Sequence, residues 1–194
     1  VNTVHGLLVH RGADLLKPGA DRLWAVMEDL KAAQKVRLLG VSVYSPTELL
    51  RLLDEFPIDI VQLPLNLLDQ RFVQCGLLRQ LSEASIEVHV RSVFLQGVLV
   101  TEPGKLPHYF KELIAHLSSL RREADDIGCS MLSMALNYAL RMDAVDTVLV
   151  GVDSACQLKQ ILDSVKAPIS DDFDWKRWSV DDLRWLDPNQ WSLG

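Results

Sequence analysis

Residues able to do polar chemistry recur at one kind of place in this sequence, the end of a short apolar run. His10 closes VHGLLVH, Ser42 falls late in VRLLGVSVY, and Gln62 lies within IDIVQLPL. Arg91 and Ser92 come late in IEVHVRSVF, and Gly151 stands near the end of DTVLVGV. These are neutral or cationic hydrogen-bonding groups, suited to holding a polar ligand and polarising it. If the strands are parallel these groups converge on one rim, with only Asp69 and Asp153 as nearby carboxylates. A lone amide such as Gln62 inside an apolar strand must find a partner, protein or ligand, or destabilise the fold. Ser42 in the preceding run can be that partner or can share the same ligand. Taken alone, His10 also reads as the point where a strand meets water.

Other chemistries lack their residues. There is no close acid pair for glycoside hydrolysis and no Gly-x-Ser-x-Gly elbow. No His/Cys/Asp cluster has metal-ligand spacing, so no metal is expected. No Gly-rich loop matches a nucleotide fingerprint. The formal charge of −6 leaves no basic face for nucleic acid. No apolar run reaches the roughly 18 residues of a membrane span, and the opening residues lack a signal-peptide pattern. Cys75, Cys129 and Cys156 are odd in number and read as reduced thiols of a cytoplasmic protein. His5 and His89 read as structural, His108 and His116 as surface residues, and Met131, Met134 and Leu136 as core.

The elements that must position these residues alternate. Each strand-like run is followed by a stretch of helical periodicity, beginning with Leu23, Trp24, Val26, Met27 and Leu30 within 20–34. Ser45, Pro46 and Glu48 form a helix start with a capping box, and Ser154 with Gln157 forms another. Helices are expected over 71–85, up to about Asp126, and from Ser130 to Met142, with Gly128 separating the last two. Residues 168–194 form a Trp-rich tail, whose aromatic side chains should anchor it to the core surface.

Strands alternating with helices predict an α/β fold with a parallel sheet. Two architectures fit. One is a doubly wound, flavodoxin-like sheet. The other is a partial (β/α)8 barrel of about five βα units plus the tail, since a whole barrel takes about 250 residues and this chain has 194. In both, ligands gather at the carboxyl ends of the strands.

The segments LLVHR, KVRLLGVSVYSPTEL, IDIVQLPLNLLDQR, VHVRSVFLQGVL and TVLVGVDSACQL, in this order and spacing, resemble the aldo-keto reductases. The ending LDPNQW resembles the Leu-x-Pro-x-x-Trp tail of a bacterial branch. The resemblance chooses the barrel. It implies that residues 1–194 are the C-terminal portion of one barrel domain, from the fourth strand onward, with the N-terminal strands missing.

The resemblance also implies roles. The family places a nicotinamide cofactor, NADP or NAD, across the strand ends and passes hydride to a carbonyl. Its catalytic residues are Asp, Tyr, Lys and His, of which only the histidine has a counterpart here, His10. Ser42 keeps one contact of a Ser-Asn pair to the carboxamide, with Val43 in place of the asparagine, and Gln62 should hold the same carboxamide. Arg91 stands where many members stack a tyrosine on the nicotinamide. Ser92 and Leu95 fall where the loop backbone wraps the pyrophosphate, and Gly151 and Gln157 where members bind the adenosine end. Ile161 and Asp153 do not favour an extra phosphate.

The expected function is NAD(P)H-dependent reduction of an aldehyde or ketone by the parent protein, with this chain alone inactive. The alternative is a non-catalytic cofactor-binding or regulatory module of the same fold. The expected partner is a small-molecule carbonyl substrate, with neither nucleic acid nor membrane, and self-association could run through exposed strand edges.

Overall fold

The computed structural model describes residues 3–166, 169–170 and 172–192. Strands and helices alternate in the expected order. They are β1 (Val4–Val9), α1 (Ala20–Ala32), β2 (Val36–Ser42), α2 (Pro46–Glu55) and β3 (Ile60–Pro64). Then follow α3 (Arg71–Gln74), α4 (Leu77–Glu83), β4 (Glu87–Arg91), α5 (Ile114–Asp126), α6 (Met131–Leu140), β5 (Thr147–Val148), α7 (Ala155–Ser164) and α8 (Leu183–Leu186). The sheet runs β1-β2-β3-β4-β5, and β1 to β4 pair in parallel. A doubly wound sheet reverses its strand order at a switch point. Strictly sequential order belongs instead to a (β/α)8 barrel, of which this is a part.

The chain forms two compact units. The first comprises Val1–Pro64, Arg71–Arg91 and Ala144–Thr147. Its core is the branched-aliphatic filling of parallel strands buried on both faces: Val41, Val61, Leu63, Val88 and Val90 are fully enclosed. Helix α2 buries Leu49 and Leu52, and Trp24 of α1 packs on Phe56 at 5.0 Å between ring centroids. The start of α2 follows its sequence signature. Ser45 Oγ accepts from Glu48 N (3.2 Å), and Glu48 Oε2 accepts from Tyr44 N (3.0 Å).

Gly40 allows β2 and β3 to approach closely. A Cβ there would stand 1.8 Å from the Ile60 carbonyl oxygen, a backbone atom that cannot swing away. Asp59 ties the amino end of β3 to its neighbours, accepting from Leu39 N (2.8 Å) and pairing with Lys31. Asp146 does the same for β4, accepting from Val88 N at 2.7 Å.

The second unit comprises Leu65–Gln70, Ser92–Asp143 and Val148–Gly194. Helix α6 is buried along most of its length, Met131, Met134 and Leu136 included, and Ser130 caps it by accepting from Ser133 N (3.0 Å). Trp175, Trp178 and Trp185 of the tail are buried. Trp175 meets Tyr138 at 5.6 Å, and Trp191 meets Phe110 edge-on at 4.9 Å. The tail is therefore anchored by aromatic burial. Residues 168, 171, 193 and 194 of that tail lie outside the described residues.

Several expected boundaries shift. The helix expected over 71–85 is two, because Gly76 adopts φ +76° between α3 and α4. The run 146–152 yields a strand of only two residues, Thr147–Val148. Among the described residues β5 is an edge strand with β4 as its one neighbour. Strand β4 stops at Arg91 because Ser92 turns left-handed at φ +61°. His116, expected at the surface, is half-buried, its Nε2 3.1 Å from the Trp178 carbonyl oxygen.

Candidate functional site

In the first unit, Ser42 and Gln62 are direct register partners on β2 and β3. Ser42 is buried, and its Oγ donates to Gln62 Oε1 over 3.2 Å. Among the described residues the Gln62 NH2 meets no protein acceptor, so its two N–H bonds remain for a ligand. The Ser42 oxygen keeps lone pairs for an incoming donor. His10 is exposed immediately after β1, at the same carboxyl end of the sheet. Gly12 follows it in close contact, since a Cβ there would meet Leu52 Cδ1 at 2.8 Å and Val43 Cγ1 at 3.0 Å.

Arg91, ending β4, has its guanidinium over the Tyr44 ring at 4.2 Å and donates from Nη2 to the Val43 carbonyl (3.2 Å). Arg71 Nη2 donates to the Tyr44 carbonyl at 3.2 Å. The planar guanidinium of Arg91 thus presents one face to Tyr44, in the stacking geometry that arginine favours. Tyr44 and Arg71 carried no sequence signal for this, because their partners come from other strands.

In the second unit, the loop after β4 holds three non-glycine residues in the left-handed region: Ser92 (φ +61°), Leu95 (+46°) and Gln96 (+51°). A buried leucine rarely adopts such a backbone, and clusters of this kind persist where surrounding structure enforces them. Asn66 is that enforcing element. Fully buried, it accepts from Leu68 N (3.0 Å) and Asp69 N (2.9 Å) through Oδ1 and donates from Nδ2 to the Ser92 carbonyl (3.2 Å). Gln70 Nε2 donates to the Leu67 and Trp175 carbonyls at 2.8 and 2.7 Å. Asn66 was legible only as a polar residue within an apolar stretch.

Gly151 is exposed, just ahead of α7. Ser154 caps that helix by accepting from Gln157 N (3.2 Å), while Gln157 Oε1 accepts from Asp153 N (2.7 Å). Gln157 therefore shapes the turn leading into α7.

The three tyrosines each have a structural setting. Tyr44 lies under Arg91, and Tyr109 Oη donates to the Arg184 carbonyl at 3.0 Å. Tyr138 is buried with its hydroxyl unpartnered among the described residues. Burial, and then the charge of Asp69, push its phenol well above the ordinary range.

A further group was not visible in the sequence. His5 Nε2 lies 2.9 Å from both Glu87 carboxylate oxygens, and His89 Nε2 lies 2.6 Å from Oε1. Burial raises the Glu87 carboxyl, but the hydrogen bonds from His5 and His89 outweigh it and hold it below the usual range. A cavity of about 520 Å³ lined by Thr3, Lys31, Gln34, Val36 and Arg37 also lies at the amino ends of β1 and β2, the opposite end from His10 and Ser42.

The model of the aldo/keto reductase family matches residues 4–179. The chain belongs to that family. Among solved structures, the chain resembles the holo form of aldo-keto reductase AKR11C1 from Bacillus halodurans, with a TM-score of 0.71 and 22% identity over 88% of this chain and 56% of that one. The apo form of the same protein gives 0.68 and 23% over 91% and 60%. The glycerol dehydrogenase AKR11B4 from Gluconobacter oxydans gives 0.56 and 18% over 89% and 63%. At such identities these likenesses speak to the fold. The chain spans 56–63% of the length of these structures. No curated protein matches it. Among the described residues, no helix is long and apolar enough to cross a membrane.

Proposed function

We propose that this chain carries the histidine and the carboxamide-binding residues of an NAD(P)H-dependent reductase of aldehydes or ketones. The Ser42–Gln62 pair carries the reading. A primary carboxamide needs a donor and an acceptor side by side. The Gln62 NH2 supplies the donor. The Ser42 oxygen, whose hydrogen is given to Gln62 Oε1, supplies the acceptor. This set fits the carboxamide of a nicotinamide ring.

When bound, the reduced nicotinamide supplies hydride to a carbonyl carbon. His10, exposed at the end of β1, donates a hydrogen bond to the carbonyl oxygen and draws charge toward it. Arg91, stacked on Tyr44, has the planar guanidinium that the resemblance puts beside the nicotinamide ring. On this reading the pyrophosphate lies on the backbone around Ser92 and Leu95, and the adenosine end on Gly151 and Gln157, as the resemblance implies. The strained φ values of the loop support that assignment for Ser92 and Leu95. Asp153, next to the cap of α7, does not favour a 2′-phosphate, so NADH is expected to serve at least as well as NADPH.

A second reading is a cofactor-binding module without catalysis. It is favoured by the settings of Tyr109, whose hydroxyl donates to the Arg184 carbonyl, and Tyr138, whose hydroxyl is buried, which leave neither as an exposed proton donor. Fluorescence titration of the full chain with NADH and NADPH, beside an assay of cofactor oxidation with a panel of aldehydes, tests both. Saturable binding is expected, and its absence overturns the proposal. Where turnover is present, His10→Ala should lower kcat and leave cofactor affinity unchanged. Binding without turnover selects the module.

A further inference from the structure

The group formed by His5, Glu87 and His89 has no role in the proposed chemistry, although His89 is the register partner of Gln62. His5 is on β1, while Glu87 and His89 are on β4. In the sheet order β1-β2-β3-β4, two strands separate them. Their side chains nevertheless meet, as curvature of the sheet allows on its concave face. Glu87 and His89 are two residues apart on one strand, so they project from the same face. One ligand atom from each residue, an imidazole nitrogen or a carboxylate oxygen, lies within 4.8 Å of the other two. Among the described residues this is the one group of three such side chains.

We propose that His5, Glu87 and His89 bind one borderline divalent transition-metal ion, Zn2+ being the best match, which clamps β1 to β4. The ligand chemistry decides the class. Two imidazoles and one carboxylate suit Zn2+ and its first-row neighbours, whereas Ca2+ and Mg2+ prefer oxygen throughout. The geometry needs little adjustment. Ligands about 2.0–2.2 Å from one ion lie roughly 3–4 Å from each other. The ligands also sit on strands, whose backbone is fixed by the ladder, rather than on loops.

Both histidines direct Nε2 at one carboxylate, an arrangement that without an ion relies on protons held between them. A cation at the same point replaces those protons and joins all three ligands at once. Side-chain exposures of 56% for His5 and 24% for Glu87 let water reach the group and complete the coordination. The rival explanation is an ion-paired staple of protonated histidines with no metal affinity.

The test is titration of the chelator-stripped full chain with Zn2+ against a chromophoric competitor, with Co2+ as a spectroscopic substitute. Expected are one ion per chain, Co2+ d–d bands without a thiolate charge-transfer band, and a raised Tm with Zn2+. His89→Gln and the exposed His5→Ala should each weaken binding at least as much as the roughly 10–100-fold that loss of an outer-shell partner costs. Cys75→Ser with Cys156→Ser should leave it unchanged. Far-ultraviolet circular dichroism in chelator separates lost ligation from lost folding. Less than one ion per chain, a thiolate band, or full retention by the folded His5→Ala/His89→Gln double variant overturns the proposal.

Discussion

Ser42 and Gln62 face each other in register across β2 and β3, and the Ser42 hydroxyl donates to Gln62 Oε1 over 3.2 Å. In this pairing Oε1 faces the neighbouring strand and the NH2 group points away from Ser42. The strand register, with the close approach at Gly40, thus brings a hydroxyl and an amide together.

That register depends on Gly40. Gly40→Ala would place a methyl group 1.8 Å from the Ile60 carbonyl oxygen and force the strands apart. Overpacking typically costs 1–3 kcal/mol, and contact with backbone should bring the loss to about 3 kcal/mol or more. Urea unfolding measures it. A midpoint equal to that of the unsubstituted chain would show that β2 and β3 do not approach as described.

Asn66→Ala should loosen the loop after β4. The substitution leaves the amides of Leu68 and Asp69 buried without their acceptor and releases the Ser92 carbonyl. Unsatisfied buried groups cost about 1–3 kcal/mol each, so a loss of about 2–4 kcal/mol is expected. Amide exchange across residues 92–99 should quicken more than exchange in β2 or β3. Uniform change along the chain would contradict the assignment of Asn66 to that loop.

Tyr138→Phe should stabilise the protein by about 1 kcal/mol, because it removes a buried hydroxyl with no partner among the described residues. Thermal unfolding reads this directly. A marked loss of stability would mean that the hydroxyl is satisfied, by a buried water for example.

The sequence displayed what is local and periodic. The capping residues Ser45, Glu48, Ser154 and Gln157 act within one helical turn, and their bonds are those the spacing predicts. The Ser42–Gln62 pairing was legible because a polar residue in an apolar strand demands a partner. What joins distant positions was not. His5 and Glu87 are 82 residues apart and meet only across the sheet. Arg91 and Tyr44 likewise come together only through strand order. The left-handed turn at Ser92 falls on a residue type that does not announce it, and the Asn66 side chain that holds its carbonyl comes from another strand end. The run around β5 reads as a full strand, and only Thr147–Val148 of it pairs.

The central claim is that the amide of Gln62 holds a nicotinamide carboxamide, and cofactor affinity measured by isothermal titration of Gln62→Leu tests it most directly. Leucine keeps the volume and removes the donor. With folding checked by circular dichroism, affinity for NADH and NADPH should fall by about 5- to 150-fold, the equivalent of about 1–3 kcal/mol for a lost buried hydrogen bond. Affinity unchanged from that of the unsubstituted chain would remove Gln62 from the site and contradict the claim.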